Sequence, residues 1–525
     1  MKYAALSRVL LSFLLVFAFE ATAFPHSFSF GDSLRHRNTH KMTNDAAVQP
    51  REFRAVWIAT VHHIDWPRQG DYRVESQKAS FIRILETYQA LNFNTVIVQV
   101  RAAGDAFYPS SYEPWSRFLT GKEGKAPEEG FDPLAFMIEE SHKRGMDFHA
   151  WINPFRATIN LETTTLADNH PYRTHHDWMV RYFDKYYFNP GIPEVRDYVR
   201  DIVAEIVQGY DIDGLHLDDY FYPYPEKGHT FHDRNTFLTY GGDFEEPEDW
   251  RRANIDSLVH ELSDTIRSMK PWVQFGVSPF GVWRNQADDP LGSETTADRS
   301  TYDDLYADPL TWMREGWIDY LIPQLYWSRD FHLASYSKLI DWWGAQRSTA
   351  RMYAGQSLFK VGNNHDKAWY DFSEVPGQIR LFRNSGTFEG TAFFSASSLM
   401  NKNQNLYKAL QTWYFTEPAL PPQCLRFPGR AEVNPEIQVL DKLEEGLTVK
   451  ITLEHPEDYR YVLSHFSADV YPYPAVTLDE KKAFTDEVLY FKLPEDVAAR
   501  PWFCLSLIDK YGRQTFLSRS VKVAY

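Results

Sequence analysis

The stretch Ile212-Asp-Gly-Leu-His-Leu-Asp-Asp-Tyr-Phe-Tyr-Pro-Tyr-Pro225 decides how this chain is read. Its first half has the character of a buried strand. Its end carries two adjacent carboxylates followed by aromatic and proline residues. Side chains of a strand alternate between faces. Leu215 and Leu217 therefore share one face, and Gly214, His216 and Asp218 share the other. Such a strand suits a (β/α)8 TIM barrel, in which the outer face packs on helices and the inner face ends where barrels do chemistry. Asp218 and Asp219 become the expected centre of an active site.

Working outward, eight short apolar runs are separated mostly by helix-length segments. They are Phe53–Val61, Asn94–Arg101, Met146–Asn153, Ile212–Asp219, Val273–Phe280, Ile318–Trp327, Arg351–Leu358 and Gly390–Ser398. Amphipathic candidates such as Ser76–Ala90, Pro133–Arg144, Pro193–Gly209, Trp250–Met269 and Ser335–Trp343 lie between them. Strand alternating with helix points to a parallel barrel, an α/β fold expected over 51–416. Long loops follow the third, fourth and fifth runs and are dense in Tyr, Trp, His and Arg. Disordered segments are poor in aromatics, so these loops are expected to fold into the walls of a cleft. Glu417-Pro-Ala-Leu-Pro-Pro422 reads as a stiff boundary. Beyond it, 423–525 alternates in strand-like runs and resembles a β-sandwich of the immunoglobulin or fibronectin III kind.

The chain has 525 residues and a formal net charge of −16, which argues against nucleic acid as a partner. Residues 1–23 read as a signal peptide: Lys2 and Arg8 precede the apolar Val9 to Phe19, and Ala21-Thr22-Ala23 is a small-residue cleavage pattern. A polar leader, 24–50, would connect it to the fold. Export is therefore expected, to the periplasm, the outer surface or the medium. No cysteine lies near the cleavage pattern, so no lipid anchor is expected there, and no other stretch is apolar enough for a transmembrane segment. Cys424 and Cys504 are read as two independent buried thiols.

Alternation along the other runs brings more polar groups to the inner face. Ile97, Gln99 and Arg101 share that face in the second run; His149, Trp151 and Asn153 share it in the third, with Arg156 just beyond. The fifth run leads into Trp283 and Arg284, and the sixth supplies Gln324, Tyr326 and Trp327. Each alone has a bland explanation, since buried polar groups can satisfy one another. Together with Tyr220 and Tyr222 they form an inventory suited to sugars: amides and Arg bond hydroxyls, and rings stack on pyranose faces. Asp218 is the candidate nucleophile or base. Asp219 points the other way unless the strand has ended, which makes it a second candidate or an orienting partner. Glycoside cleavage typically needs a second carboxyl group. Asp65, Asp105 and Glu294 are candidates, and Asp105 is preferred for its closeness to Gln99 and Arg101. The pairs His62-His63 and His175-His176 lack metal-ligand spacing, and no phosphate or dinucleotide loop is present, so neither metal nor cofactor is expected.

Five motifs then carry a family resemblance. Arg51-Glu-Phe-Arg-Ala-Val-Trp-Ile-Ala-Thr60, Val98-Gln-Val-Arg101, Trp151-Ile-Asn-Pro-Phe-Arg156, Asp213 to Pro225 and Pro323-Gln-Leu-Tyr-Trp327 resemble the YngK/DigH family of glycoside-hydrolase-like proteins, in order over 51–415. The resemblance implies a TIM-barrel envelope protein, and a glycosidase of peptidoglycan strands stripped of stem peptides. It also implies that the acid pair after the fourth strand is catalytic. The expectation is thus an exported glycoside hydrolase of a cell-wall polymer. Its rivals are a non-catalytic glycan-binding barrel and a hydrolase of capsular or dietary polysaccharide.

Overall fold

Eight parallel strand runs form the core, each followed by helix. They are β1 (Phe53–Ile58), β2 (Thr95–Arg101), β3 (Asp147–Ile152), β4 (Gly214–Leu217), β5 (Gln274–Val277), β6 (Tyr320–Leu321), β7 (Arg351–Met352 and Ala354–Ser357) and β8 (Gly390–Phe394). This computed structural model describes residues 51–523 except 129, 347, 444 and 470–477. The expected signal peptide and leader lie outside the described residues. Every neighbouring pair in the sheet is parallel. The two ends of the sheet are the two halves of β7, one paired with β6 and the other with β8. Only Tyr353 separates those halves, so the sheet comes round on itself as a nearly closed barrel.

The helices begin where the sequence provides starts. Pro opens Pro133–Lys143, Pro193–Gly209 and Pro247–Met269, its fixed φ suiting a first turn that needs no N–H partner. Asp132 caps the first of these by accepting from Ala135 N at 3.1 Å. Val195, Val199 and Ile202 of the second meet Leu215 and Leu217 in the apolar layer outside the barrel. Each such side chain contributes about 1.5–3 kcal/mol by leaving water.

Inside the barrel, glycine makes room for rings. A Cβ on Gly276 would lie 2.0 Å from the Tyr320 ring, and one on Gly214 would lie 2.7 Å from His149. The Tyr320 hydroxyl thereby sits 2.8 Å from His149 Nδ1 and 3.1 Å from His216 Nδ1. This layer closes the barrel below its C-terminal mouth.

The C-terminal part forms two antiparallel sheets. One has three strands, Glu436–Leu443, Gly446–Thr452 and Val488–Lys492; the other has four, Tyr459–Ser467, Glu480–Ala483, Trp502–Asp509 and Val521–Lys522. Leu447, Val449 and Phe491 of one sheet share a core with Val462, Phe503 and Leu505 of the other. Glu436–Leu443 and Glu480–Ala483 lie outside the strand-like runs that alternation marks in the sequence, which are Leu447–Leu453, Tyr459–Ser464, Val488–Lys492, Trp502–Asp509 and Ser518–Val523. Glu436–Leu443 is a mostly exposed edge, so burial writes little alternation into it. The sheets dock beneath the barrel, at the N-terminal ends of its strands: Arg460 pairs with Asp213 and, at 2.8 Å, with Asp211. Lys481 lies 3.6 Å from Asp147. Cys424 and Cys504 are buried and unpaired.

Candidate active site

The C-terminal mouth of the barrel opens into a cavity of about 700 Å³. Gln99 from β2, Trp151 from β3, Asp218 and Asp219 after β4, Ser278 after β5 and Gln324 after β6 reach it from different strands. The long loops build its walls. A hairpin of Met179–Tyr182 and Lys185–Phe188 in the third loop carries Tyr182, Phe183 and Lys185 to the rim; the fourth loop supplies Tyr220 and Tyr224, and the fifth Arg299. Arg156, Tyr326 and Trp327 also line it.

β4 ends at Leu217, so strand alternation no longer governs the next residues. Both carboxylates line the same cavity, yet they lean to opposite sides. Asp218 leans toward β3: its Oδ2 accepts from Asn153 Nδ2 at 2.6 Å, and its Oδ1 accepts from Tyr220 N at 3.2 Å. Asn153 Oδ1 in turn accepts from Gln99 Nε2 at 2.6 Å. Asp219 leans the other way: it accepts from the Tyr224 hydroxyl of its own loop, and on that side lies Gln324, whose Nε2 donates to the Ser278 carbonyl at 3.0 Å.

Burial, and after it the charge of Asp219, pushes the Asp218 carboxyl up to about 7. Burial also raises Asp219, while Tyr224, Gln324 and Arg156 pull it back. Two interacting acids in one dry site titrate as a pair, which favours a proton on one of them. The Arg156 guanidinium stacks on Tyr220, 4.5 Å from the ring centroid. Two carboxyl groups and a guanidinium thus face one ring-lined space.

Several expected site residues stand elsewhere. The register slips between Gln99 and Arg101, which pair with the consecutive residues Trp151 and Ile152 of β3. A bulge of this kind re-aims the side chain beyond it. Arg101 is fully buried in a bidentate pair with Glu113, at 2.6 and 2.8 Å, and also donates to the Asn153 carbonyl. Asp105 is buried too; its Oδ1 accepts from Ala103 N at 2.9 Å, beside a separate small void. His216 belongs to the layer below the mouth, bonded to Tyr320 and, at 2.9 Å, to Ser278 Oγ. Burial holds its imidazole neutral. Tyr222 is packed among Phe231, Tyr306 and Arg251. Trp283 donates to Asp308 at 3.0 Å and stacks on Trp342, and Arg284 is paired with Asp289 and Asp303. None of these six lines the cavity, for Trp283 and Arg284 because the fifth loop turns its aromatic start into the barrel wall; nor does Asn153, expected as a substrate contact, which reaches the site only through Asp218. The other acids weighed are also engaged: Asp65 accepts from Ala59 N, Ser395 Oγ and Ser397 N, and Glu294 pairs with Lys338 at 2.8 Å.

The cavity also holds residues that sequence reasoning passed over. Trp57 stands in the inward register of β1 with Phe53 and Ala55, a signal that was legible. Phe183, Arg299, Phe359 and Lys360 carry no local signal, since only loop folding brings them to the rim.

Residues 52–371 match the family described as Glycosyl hydrolase-like 10. The chain is 44% identical over 418 residues to Glycosyl hydrolase YngK of Bacillus subtilis (strain 168), covering 79% of this chain and 81% of that protein. It is 41% identical over 338 residues to Glycosyl hydrolase DigH of Escherichia coli (strain K12), covering 61% of this chain and 76% of that protein. Among solved structures, the glycoside hydrolase domain of PgaB (BpsB) from Bordetella bronchiseptica aligns with a TM-score of 0.46 at 11% identity, over 69% of this chain and 98% of that one. With a family model matching residues 52–371 and 44% identity to one relative over 79% of its length, the chain belongs to the glycosyl hydrolase-like 10 family.

Proposed function

We propose that this protein is an exported glycoside hydrolase that cleaves peptidoglycan glycan strands lacking stem peptides. The observation that carries the hydrolase reading is the pair of buried carboxylates, Asp218 and Asp219, opening on one ring-lined cavity. A carboxyl raised to about 7 is suited to hand a proton to a glycosidic oxygen at neutral pH and to take one back from water. That favours Asp218 as acid and base, where the strand pattern by itself favoured a nucleophile or base. Asp219, held by the Tyr224 hydroxyl, is the carboxylate that stays charged. Gln99 and Asn153 position Asp218. Tyr220, Tyr326 and Trp327 supply faces for sugar rings.

Charge supports the choice of polymer. Arg156, Arg299 and Lys360 line the cavity, and no carboxylate lies within 4 Å of any of them among the described residues. Elsewhere on this acidic chain, arginines are commonly paired. Removing a stem peptide uncovers the lactyl carboxylate of each muramic acid, an anion these cations complement. Cleavage of a signal peptide after residue 23 would place the enzyme with that polymer outside the cytoplasm. We read the C-terminal sheets as a fibronectin III-like module that braces the barrel from below.

The deciding experiment offers purified, peptide-free glycan strands to the full chain and measures reducing ends. Release by the wild type, and its loss in Asp218→Asn, is the expected result. Retention of polymer without shortening would instead identify a glycan-binding barrel. Faster cleavage of capsular or plant polysaccharide would reassign the substrate.

A further inference from the structure

A double displacement on a sugar needs one carboxylate to attack the anomeric carbon while another protonates the leaving oxygen, with the two about 5–5.5 Å apart across the bond. Here the two buried acids are consecutive residues whose Cα atoms lie about 3.8 Å apart, so both grow from one wall of the site. Among the described residues, the other carboxylates lining the cavity are Asp184 and Glu226, both exposed at the rim. Asp184 is held there by Lys185 at 2.6 Å. Neither is placed to attack from below a sugar seated on the floor.

What stands beside Asp219 is a hydroxyl donor. Gln324, on the Asp219 side of the cavity, is two residues before Tyr326. Tyr326 lines the same cavity as Asp219 and Asp218, its ring 6.2 Å from that of Phe394, and burial followed by the charge of the two acids keeps its phenol protonated. Its hydroxyl has no hydrogen-bond partner among the described residues, although it lines the cavity. An acceptor and a donor thus line one cavity with the rings of Trp57, Trp151 and Phe394, the Phe394 ring 6.2 Å from both Tyr326 and Trp57, a set that matches an amide: N–H to Asp219, C=O to Tyr326, methyl to the rings.

We propose that the nucleophile is supplied by the substrate, as the carbonyl oxygen of a 2-acetamido group clamped between Asp219 and Tyr326. This deepens the hydrolase reading and rests on it. In the first step the amide oxygen bonds to C1 and the C1–O glycosidic bond breaks. Its electron pair leaves with the aglycone oxygen, which takes the proton of Asp218. The resulting five-membered oxazolinium ring keeps its N–H on Asp219. In the second step Asp218 takes a proton from water, the water oxygen bonds to C1, and the C1–O bond of the ring opens to restore the acetamide. The sum is hydrolysis with retention, and no carbon–oxygen bond to the protein forms. Sugars without the N-acetyl group are then not substrates.

The full chain is assayed on peptide-free strands and on the same strands after chemical N-deacetylation. The expected result is cleavage of the first and sparing of the second. A bicyclic 1,2-thiazoline of N-acetylglucosamine, which resembles the ring intermediate, should bind at least about a hundredfold more tightly than substrate. Tyr326→Phe should lower kcat and leave KM nearly unchanged, and the released end should keep its anomeric configuration by NMR. Comparable cleavage of the deacetylated strands, an inverted anomer, or a 2-fluoro sugar left covalently on the chain would overturn the inference while sparing the hydrolase reading. Absence of cleavage of the N-acetylated strands removes both.

Discussion

Asn153 Nδ2 donates to Asp218 Oδ2 at 2.6 Å, and this one bond ties the acid to β3 and, through Gln99, to β2. A donor aimed at a carboxylate favours its charged form. Asn153→Ala should therefore raise the Asp218 pKa further and move the alkaline fall of kcat/KM, expected near pH 7, to higher pH. The lost bond should also lower kcat/KM by about ten- to a hundredfold, the worth of a hydrogen bond to a charged group. A pH–rate profile checks both. An alkaline limb that stays in place would show that Asp218 is not the titrating acid.

Asp218 also opposes folding at neutral pH. Its folded value of about 7 stands above the unfolded value near 3.8, so the folded chain binds this proton more tightly. The stability this brings is full below the unfolded value and is lost as pH rises through about 7. Asp218→Asn carries no such charge. Its free energy of unfolding should gain on the wild type between pH 4.5 and 8, by at least about 1.4 kcal/mol, the worth of one pKa unit. Parallel midpoints at both pH values would contradict this.

Arg101 behaves as structure. Removing one member of a buried pair leaves the other charge unsatisfied, at a cost of about 3–5 kcal/mol. Arg101→Met should lower the free energy of unfolding by that much, because Glu113 is equally buried. Urea unfolding gives the number. A fully stable variant with a raised KM would return Arg101 to the substrate.

Phe183 sits at the tip of the third-loop hairpin with φ of 50°, half-exposed at the cavity rim. A bulky residue in the left-handed region costs stability that Asn would largely spare. Phe183→Asn should keep or slightly raise Tm while raising KM for long strands several-fold. Thermal unfolding beside steady-state kinetics tests the pairing. An unchanged KM would remove Phe183 from the binding surface.

Arg299 donates to the Pro225 carbonyl at 2.6 Å and lines the cavity with no carboxylate within 4 Å among the described residues. Arg299→Gln should weaken binding of carboxylate-bearing strands and flatten its salt dependence, since screening acts on the lost charge pair. Neutral chitooligosaccharides should bind as before. Equal losses on both glycans would assign Arg299 a structural task.

The barrel was written locally. An apolar outer face beside a polar inner one leaves a period-two pattern in each run, and helices between the runs leave their own, because burial acts on every residue of a repeating backbone. That pattern placed Leu215 and Leu217 outside, and brought Gln99 and Asp218 to the mouth before any contact was seen. Register irregularities and loop closure are not periodic, and these only the tertiary structure decided. β4 stops at Leu217, freeing Asp219 to turn into the same cavity; the slip after Gln99 turns Arg101 onto Glu113; and three loops far apart in sequence carry Phe183, Arg299 and Lys360 to one rim. Each of those outcomes depends on partners dozens or hundreds of residues away, which no local pattern of polarity records.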